Sequence, residues 1–366
     1  MKRPAPIAAI LSVLICATAW SSSVLIDTGA PDGRMAAASR PSLAGGIEIE
    51  AADDFLVPCA TTIESATFTG LLPADATAEE VVVEIYRVFP QDSDSIRTPS
   101  VPTRANSPSD AAFASRDSAA AGLTFTTTVL LTNYTASNSV LNGINKSPNQ
   151  TTGGEGPVTG TEVEFDVAFS PGIGLPAGHY FFVPQVRLNT GDFFWLSAAH
   201  PVASFTPDLQ TWIRNENLAP DWLRIGTDIV GGNPAPAFNG SFSLTGTSTP
   251  LAVSSSAGNP IAVVPGTAIA PVTFSASGAT PPLTFSETGA LPGLSLDSST
   301  GVLSGTPNAI GTFPVTITAT DALGCSGDLA LTIRVETRPT VPAVGGTGLA
   351  VLALALSAAG ALALRR

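Results

Sequence analysis

Apolar and polar positions alternate with period two along most of the chain, in short runs cut by glycine and proline. Val81-Val-Val-Glu-Ile-Tyr-Arg-Val-Phe89, Thr124-Phe-Thr-Thr-Thr-Val-Leu-Leu131, Thr161-Glu-Val-Glu-Phe-Asp-Val-Ala-Phe169 and His179-Tyr-Phe-Phe-Val-Pro-Gln-Val-Arg-Leu188 are rich in β-branched and aromatic residues. That combination reads as strands with a buried face. Phe238-Asn-Gly-Ser-Phe-Ser-Leu-Thr-Gly246 would close the same unit. Turns at such short intervals leave no room for long helices, so the pattern predicts an all-β chain. Residues 42–247 are expected to form one β-sandwich, jelly-roll-like or of another kind. Inside it, Gln91 to Asp117 holds Asp92, Asp94, Arg97, Arg104, Asp110, Arg116 and Asp117 among several prolines. A surface loop is expected there rather than a core strand.

A second block, residues 250–336, repeats the pattern in Pro271-Val-Thr-Phe-Ser-Ala-Ser-Gly278, Leu283-Thr-Phe-Ser286 and Phe313-Pro-Val-Thr-Ile-Thr-Ala-Thr-Asp321. Roughly 85 residues with about seven short strands is the size of an Ig-like sandwich. Leu294 and Leu296 alternate inward, Asp297-Ser-Ser-Thr-Gly301 makes a turn, and Val302-Leu303 re-enter a strand that Gly305-Thr-Pro307 ends. The stretch Ala290 to Pro307, followed by Gly311 to Asp321, resembles the putative-Ig, cadherin-like repeat of bacterial surface proteins. Some cadherin-like relatives hold Ca²⁺ with acidic side chains, and the resemblance gives Asp297 and Asp321 suitable loop positions. Calcium takes about six or more oxygen ligands. This block offers only Glu287, Asp297, Asp321 and Asp328, with no Asp-x-Asp pair. The other reading has Asp321 capping the turn at Ala322-Leu-Gly324, with no cofactor.

The two ends carry addresses. Lys2-Arg3 precede an apolar stretch from Ile7 to Ala17, and Ala17-Thr-Ala19 is a small-x-small site, so residues 1–19 read as a signal peptide. Cys16 offers a lipoprotein alternative, but Ile15 is bulky where that signal takes a small residue. Residues 20–41 then read as a leader or linker. At the other end, Arg338-Pro-Thr-Val-Pro342 leads into an apolar run from Gly348 to Leu364 and then Arg365-Arg366. Within this tail, residues 337–366, the stretch 345–364 is just long enough for one transmembrane helix, with the closing arginines cytoplasmic.

The tail resembles the sorting signals read by exosortase-family transpeptidases. Val341-Pro342-Ala343-Val344 stands where the family variant has Ile-Pro-Thr-Leu, and Arg365 and Arg366 supply the basic end. A Pro-Glu-Pro motif is absent, as is the Leu-Pro-x-Thr-Gly of Gram-positive sorting. The resemblance implies a Gram-negative host, passage through the inner membrane and an exosortase-type partner. The alternative is a permanent single-span anchor that is never cut.

Composition narrows the chemistry. Charged residues make up 12% of the 366, with a net charge of −13, and such an acidic, Lys-poor surface repels nucleic acid. Outside the signal only Cys59 and Cys325 remain, in what read as separate domains, so no disulfide framework is expected to carry the folds. Glu48, Glu50, Asp53 and Asp54 supply carboxylates, but strand neighbours point to opposite faces. Asp53 and Asp54 are therefore expected as a solvated or turn-forming pair. His179 and His200 lack ligand spacing, there is no Gly-x-Ser-x-Gly elbow, and Cys59 has no nearby histidine. Thr152-Gly-Gly-Glu-Gly-Pro157 lacks the lysine and following helix of a phosphate loop and reads as a flexible turn. No residue is assigned a catalytic role.

The aromatic positions leave two readings open. Phe193-Phe-Trp195, then Trp212 with Arg214 and Trp222 with Arg224, would either pack a core or line a ligand face. In strands each Arg lies on the same face as its Trp, within reach of a cation–π contact. The expectation is an exported surface or extracellular-matrix protein, binding or structural and adhesin-like, with polysaccharide or other surface proteins as partners. The rival from another class is a secreted polysaccharide hydrolase or carbohydrate-binding module built on the N-terminal sandwich.

Overall fold

The computed structural model describes residues 22–42, 46–145, 151–199 and 210–337. The chain divides into two compact units, the first running to Pro250 with the short segment Leu323–Cys325, the second built on Leu251–Ala322 and the residues from Ser326.

In the first unit β1 (Ser23–Asp27), β2 (Pro31–Ala38), β3 (Ile49–Val57), β4 (Ala60–Leu72) and β5 (Ala78–Val88) come first. There follow β6 (Pro108–Asp117), β7 (Leu123–Ala136), β8 (Ser139–Val140), β9 (Val158–Leu175) and β10 (Gly178–Leu188). β11 (Phe194–Ala198), β12 (Trp212–Asn215), β13 (Leu223–Arg224), β14 (Asn239–Gly240) and β15 (Phe242–Thr249) complete it. One sheet has the order β1-β15-β4-β11-β2-β8, with β9 also along β4, β7 along β9 and β14 along β11. The other has the order β13-β12-β3-β10-β5-β6. Eight of these strands lie as β2-β11-β4-β9 and β3-β10-β5-β6, so the chain changes sheet at nearly every step, as in a jelly roll.

Period-two patterning explains the core. Ile49, Ala51, Phe55 and Val57 of β3 and Val81, Val83 and Ile85 of β5 point inward, toward Phe68, Phe165, Trp195 and Phe242 of the other sheet. Phe182 stacks on Phe242 at 5.0 Å between ring centroids, and Phe68 on Phe165 at 4.9 Å.

In the second unit β16 (Ala252–Ser255), β18 (Val272–Ser277), β21 (Val302–Gly305) and β20 (Leu294–Leu296) form one sheet in that order. The other is β17 (Ile261–Val263), β23 (Ser326–Val335), β22 (Gly311–Thr320) and β19 (Thr284–Gly289), with β17 parallel to β23. Lettered along the chain these are A-B-E-D and A′-G-F-C, an Ig-like sandwich. Phe274, Phe285, Leu303, Ile317 and Ile333 fill its core, which holds no tryptophan.

Four expectations change. Residues 20–41 are no linker: β1 and β2 fall inside them, and Met35, Ala36, Ala37 and Ala38 are buried. Alanine-rich β2 pairs with β11, setting Ala37 opposite Trp195, and packs Ala36 with Leu71 and Leu196. Of the stretch Gln91–Asp117, the last ten residues form edge strand β6, where one outer side can stay polar and Pro108 sits at the first position. Cys59 and Cys325 form a disulfide across 266 residues, Cys325 lying in the segment that groups with the first unit. Asp53 and Asp54 are buried in mid-strand rather than solvated. No helix among the described residues is long and apolar enough to cross a membrane. The signal peptide, the span at 345–364, His200 and the sorting residues Val341, Pro342, Ala343, Val344, Arg365 and Arg366 lie outside the described residues.

Candidate functional site

The outer face of the six-stranded sheet carries an unusual density of buried charge. Glu50 on β3, Glu84 and Tyr86 on β5, Gln185 on β10 and Arg214 on β12 point to this side, because each alternates with an inward apolar neighbour. The registers Arg214↔Glu50 and Val183↔Glu84 bring them into adjacent rows. Arg214 Nη2 donates to Glu50 Oε1 at 2.9 Å, and its Nε donates to Glu50 Oε2, a bidentate pair. The same Nη2 lies 2.7 Å from the Tyr86 hydroxyl. Beside them Gln185 donates to Glu48 at 3.0 Å.

Tyr86 Oη sits 2.7 Å from Glu50 Oε1 and 2.8 Å from Glu84 Oε2. A hydroxyl has one proton to give, so its second carboxylate contact needs a proton from the carboxyl itself. Burial, with the Glu50 charge beside it, pushes the Glu84 carboxyl up from 4.5 to about 7. Glu48 is raised too, chiefly by burial. Arg214 holds Glu50 with two hydrogen bonds, and Glu84 is the member that keeps a proton. Two carboxyls in unlike surroundings thus meet one phenol.

The aromatic residues form the other half of this face. Trp212 and Trp222 are each 1% exposed and Trp195 is 2% exposed, so none offers an open ring to a sugar. The structure corrects the stacking-platform reading: these three are core. Trp195 lies between the sheets and donates Nε1–H to the Ser241 carbonyl at 3.0 Å. Trp212 and Trp222 pack with Ala52, Tyr86, Phe181 and Val183 on the outer side. The cation–π contact exists but crosses strands. Because Trp212 pairs with Arg224 and Ile213 with Leu223, Arg214 meets Trp222, its guanidinium 4.3 Å from the ring centre. Arg224 instead pairs with Asp228 at 2.9 Å.

A segment before β6 lies against this cluster and is fastened by charge. Arg97 Nη2 donates to Asp221 Oδ1 at 2.7 Å and to Asp110 Oδ1 at 3.2 Å, and Arg104 Nη2 donates to Asp110 Oδ1 at 2.5 Å. The Ser100 N–H donates to Asp221 Oδ2 at 2.7 Å, and Trp222 Nε1–H to the Ser109 carbonyl at 3.2 Å. Although burial opposes it, the hydrogen bonds from Arg97 and Ser100 and the two guanidinium charges hold the Asp221 carboxyl below its usual range.

Asp53 and Asp54 sit on opposite faces, as strand geometry requires. Asp53 points into the core, accepts the Gly240 N–H at 2.9 Å and meets the Asn239 carboxamide. Burial and the neighbouring Asp54 charge push its carboxyl well above the ordinary range, and its Oδ2 accepts from the Asn239 amide nitrogen at 2.7 Å. Asp54 lies on the outer face, 2.5 Å from His179 Nε2. Asp297 caps its own turn, accepting the Ser299 hydroxyl at 2.7 Å and the Ser299 and Thr300 N–H groups at 2.9 Å, which lowers its carboxyl to about 2. Asp321 accepts the Thr280 N–H at 2.9 Å. Among the described residues no three His, Cys, Asp or Glu side chains group to hold a metal.

Glu84, Tyr86 and Gln185 went unremarked in the sequence. Their signal was phase: Glu84 and Tyr86 alternate with Val81, Val83 and Ile85, and a polar phase in a central strand marks a second face to be accounted for.

No curated protein matches the chain. Part of it is similar to a putative alpha-galactosidase from Bacteroides fragilis NCTC 9343, at 31% identity over 23% of this chain and 17% of that one, with a TM-score of 0.21. A putative alpha-galactosidase/melibiase from the same organism shares 23% identity over the same fractions, with a TM-score of 0.20. This chain spans under a fifth of each. Residues 243–336 match the family model described as "Putative Ig domain", in agreement with the A-B-E-D and A′-G-F-C sheets of the second unit.

Proposed function

We propose that the chain is an exported surface protein whose role is binding or structural display rather than catalysis. The observation that carries this is the Ig-like sandwich of residues 243–336, a module of surface and binding proteins. The Cys59–Cys325 disulfide supports export independently, since such bonds persist in oxidising compartments and are rare in the cytosol. The N-terminal sandwich would present the binding or structural surface, with extracellular polysaccharide or other surface proteins as partners and nucleic acid excluded by charge. The C-terminal tail would pass through the inner membrane to an exosortase-type transpeptidase and leave the body at the cell surface or in the extracellular matrix. No cofactor is required: Ca²⁺ at Asp297 or Asp321 would compete with turn hydrogen bonds these carboxylates already accept. The test is the mass of the mature C-terminal peptide from the native host's envelope. A terminus between Arg338 and Gly348 is expected, and an intact Arg366 would remove the sorting step.

The hydrolase alternative has one observation in its favour, a Glu84 carboxyl pushed up to about 7 beside Glu50 in its pair with Arg214. Reducing-end release from a polysaccharide panel, abolished by Glu84→Gln in a folded protein, would establish it in place of display. Both carboxyls already spend their contacts on Tyr86 and Arg214, which favours a structural role.

A further inference from the structure

From Leu123 to Val129, β7 is an edge strand without the charge, proline or bulge that protects other edges. It pairs with β9 alone, and its opposite backbone edge meets no other strand among the described residues. Fourteen residues long, it contains no charged residue, proline or glycine, and positions 126–133 are all exposed. Val129, Leu130 and Leu131 are 57%, 43% and 54% exposed. Natural sheets blunt such edges with charge, proline or shortness. The other edges of these two sheets comply: β6 carries Pro108, Asp110, Arg116 and Asp117, β8 and β13 have two residues each, and β1 is short and ends at Asp27.

We propose that β7 is a strand-addition site at which a second copy of this chain pairs antiparallel, with the two-fold axis at Thr127. The register follows from the strand itself. The ladder with β9 is regular up to Val129, with irregularity beginning between Val129 and Leu131, and the stretch Phe125 to Val129 that precedes it is centred on Thr127. Folding the sequence about that residue sets Phe125 opposite Val129, Thr126 opposite Thr128 and Thr127 opposite its own copy. Aromatic with β-branched and threonine with threonine are favourable cross-strand pairs. A homotypic partner suits the charge: copies that each carry −13 repel over most of their surface, and β7 is an uncharged stretch where they can approach. The contact is isologous and closes after two copies.

This inference does not depend on export or surface display. Sedimentation velocity of the full chain in neutral detergent, at about 1–100 µM, should show a monomer–dimer equilibrium. Thr127→Lys and Thr127→Glu each place like charges across the axis and should each weaken dimerisation by at least about tenfold. Mixed one to one, they should restore it. Because position 127 is solvent-exposed, near-UV circular dichroism should match the wild type. Independently, Thr127→Cys should cross-link to its own copy on mild oxidation, whereas Thr135→Cys on the same strand should not. A wild type monomeric throughout the range overturns the proposal, as does dimerisation untouched by either charge.

Discussion

At the scale of single residues, Glu50 and Glu84 of the N-terminal sandwich meet one hydroxyl, and burial raises the Glu84 carboxyl. Glu84 keeps its proton to about pH 7 in the folded chain, against 4.5 as the ordinary value. Between those values the folded state binds more protons than the unfolded state, so its contribution to stability is full below about pH 4.5 and is lost as pH rises through about 7. The linked change is on the order of 3 kcal/mol for this half-buried group. Glu84→Gln keeps the hydrogen-bonding shape and removes the titration. Urea midpoints at pH 5 and pH 8 should therefore differ less in the variant than in the wild type; equal pH dependence would show that Glu84 does not keep its proton. Trp222 illustrates the same economy of contacts, since one ring faces the Arg214 guanidinium, meets Tyr86 edge-on and donates to the Ser109 carbonyl.

Elements show which features a sequence reveals. The strands around Val83, Phe165 and Phe182 were legible because each alternates against a core, and the Ig-like unit was legible because Leu294-x-Leu296, the Asp297–Gly301 turn and the Val302 strand follow one another without interruption. β2 was missed because Ala36, Ala37 and Ala38 carry too little apolar area to produce an alternating signal. β6 was missed because charge and proline, which argue against a central strand, are what an edge strand tolerates. The Glu50–Glu84 arrangement was hidden because it depends on which strands become neighbours, and β3, β10 and β5 are not consecutive in the chain. The segment before β6 gives a prediction at this scale. Asp221 accepts from both Arg97 and the Ser100 N–H, so Asp221→Asn should weaken the fastening and expose Arg97 and Arg104. Brief trypsin digestion should cut after these arginines several-fold faster in the variant, with the rest of the chain intact; an unchanged digestion pattern would mean that Asp110 alone suffices.

For the whole molecule the disulfide is the feature with the longest reach. Cys59 lies in the turn between β3 and β4, and Cys325 lies between β22 and β23, so the bond closes a loop of 266 residues that takes in nearly the entire described chain. The sequence places the two cysteines in what read as separate domains and leaves open whether they pair, because sequence distance says nothing about proximity in the folded chain. A cross-link acts largely by restricting the unfolded ensemble, and the restriction grows only with the logarithm of loop length. Even so, a loop this long stands at the upper end of the scale, with about 5–6 kcal/mol expected from its closure. Protein prepared in an oxidising compartment and then denatured should show no thiol reacting at Cys59 or Cys325 until a reductant is added. Cys59→Ser and Cys325→Ser should lower the unfolding temperature by similar amounts, and the double substitution should cost little more than either single one, because each alone already breaks the bond. Additive losses would mean that the two side chains contribute as separate buried groups. Reduction of the wild type should reproduce the double variant, and that comparison separates the effect of the cross-link from the effect of the serines.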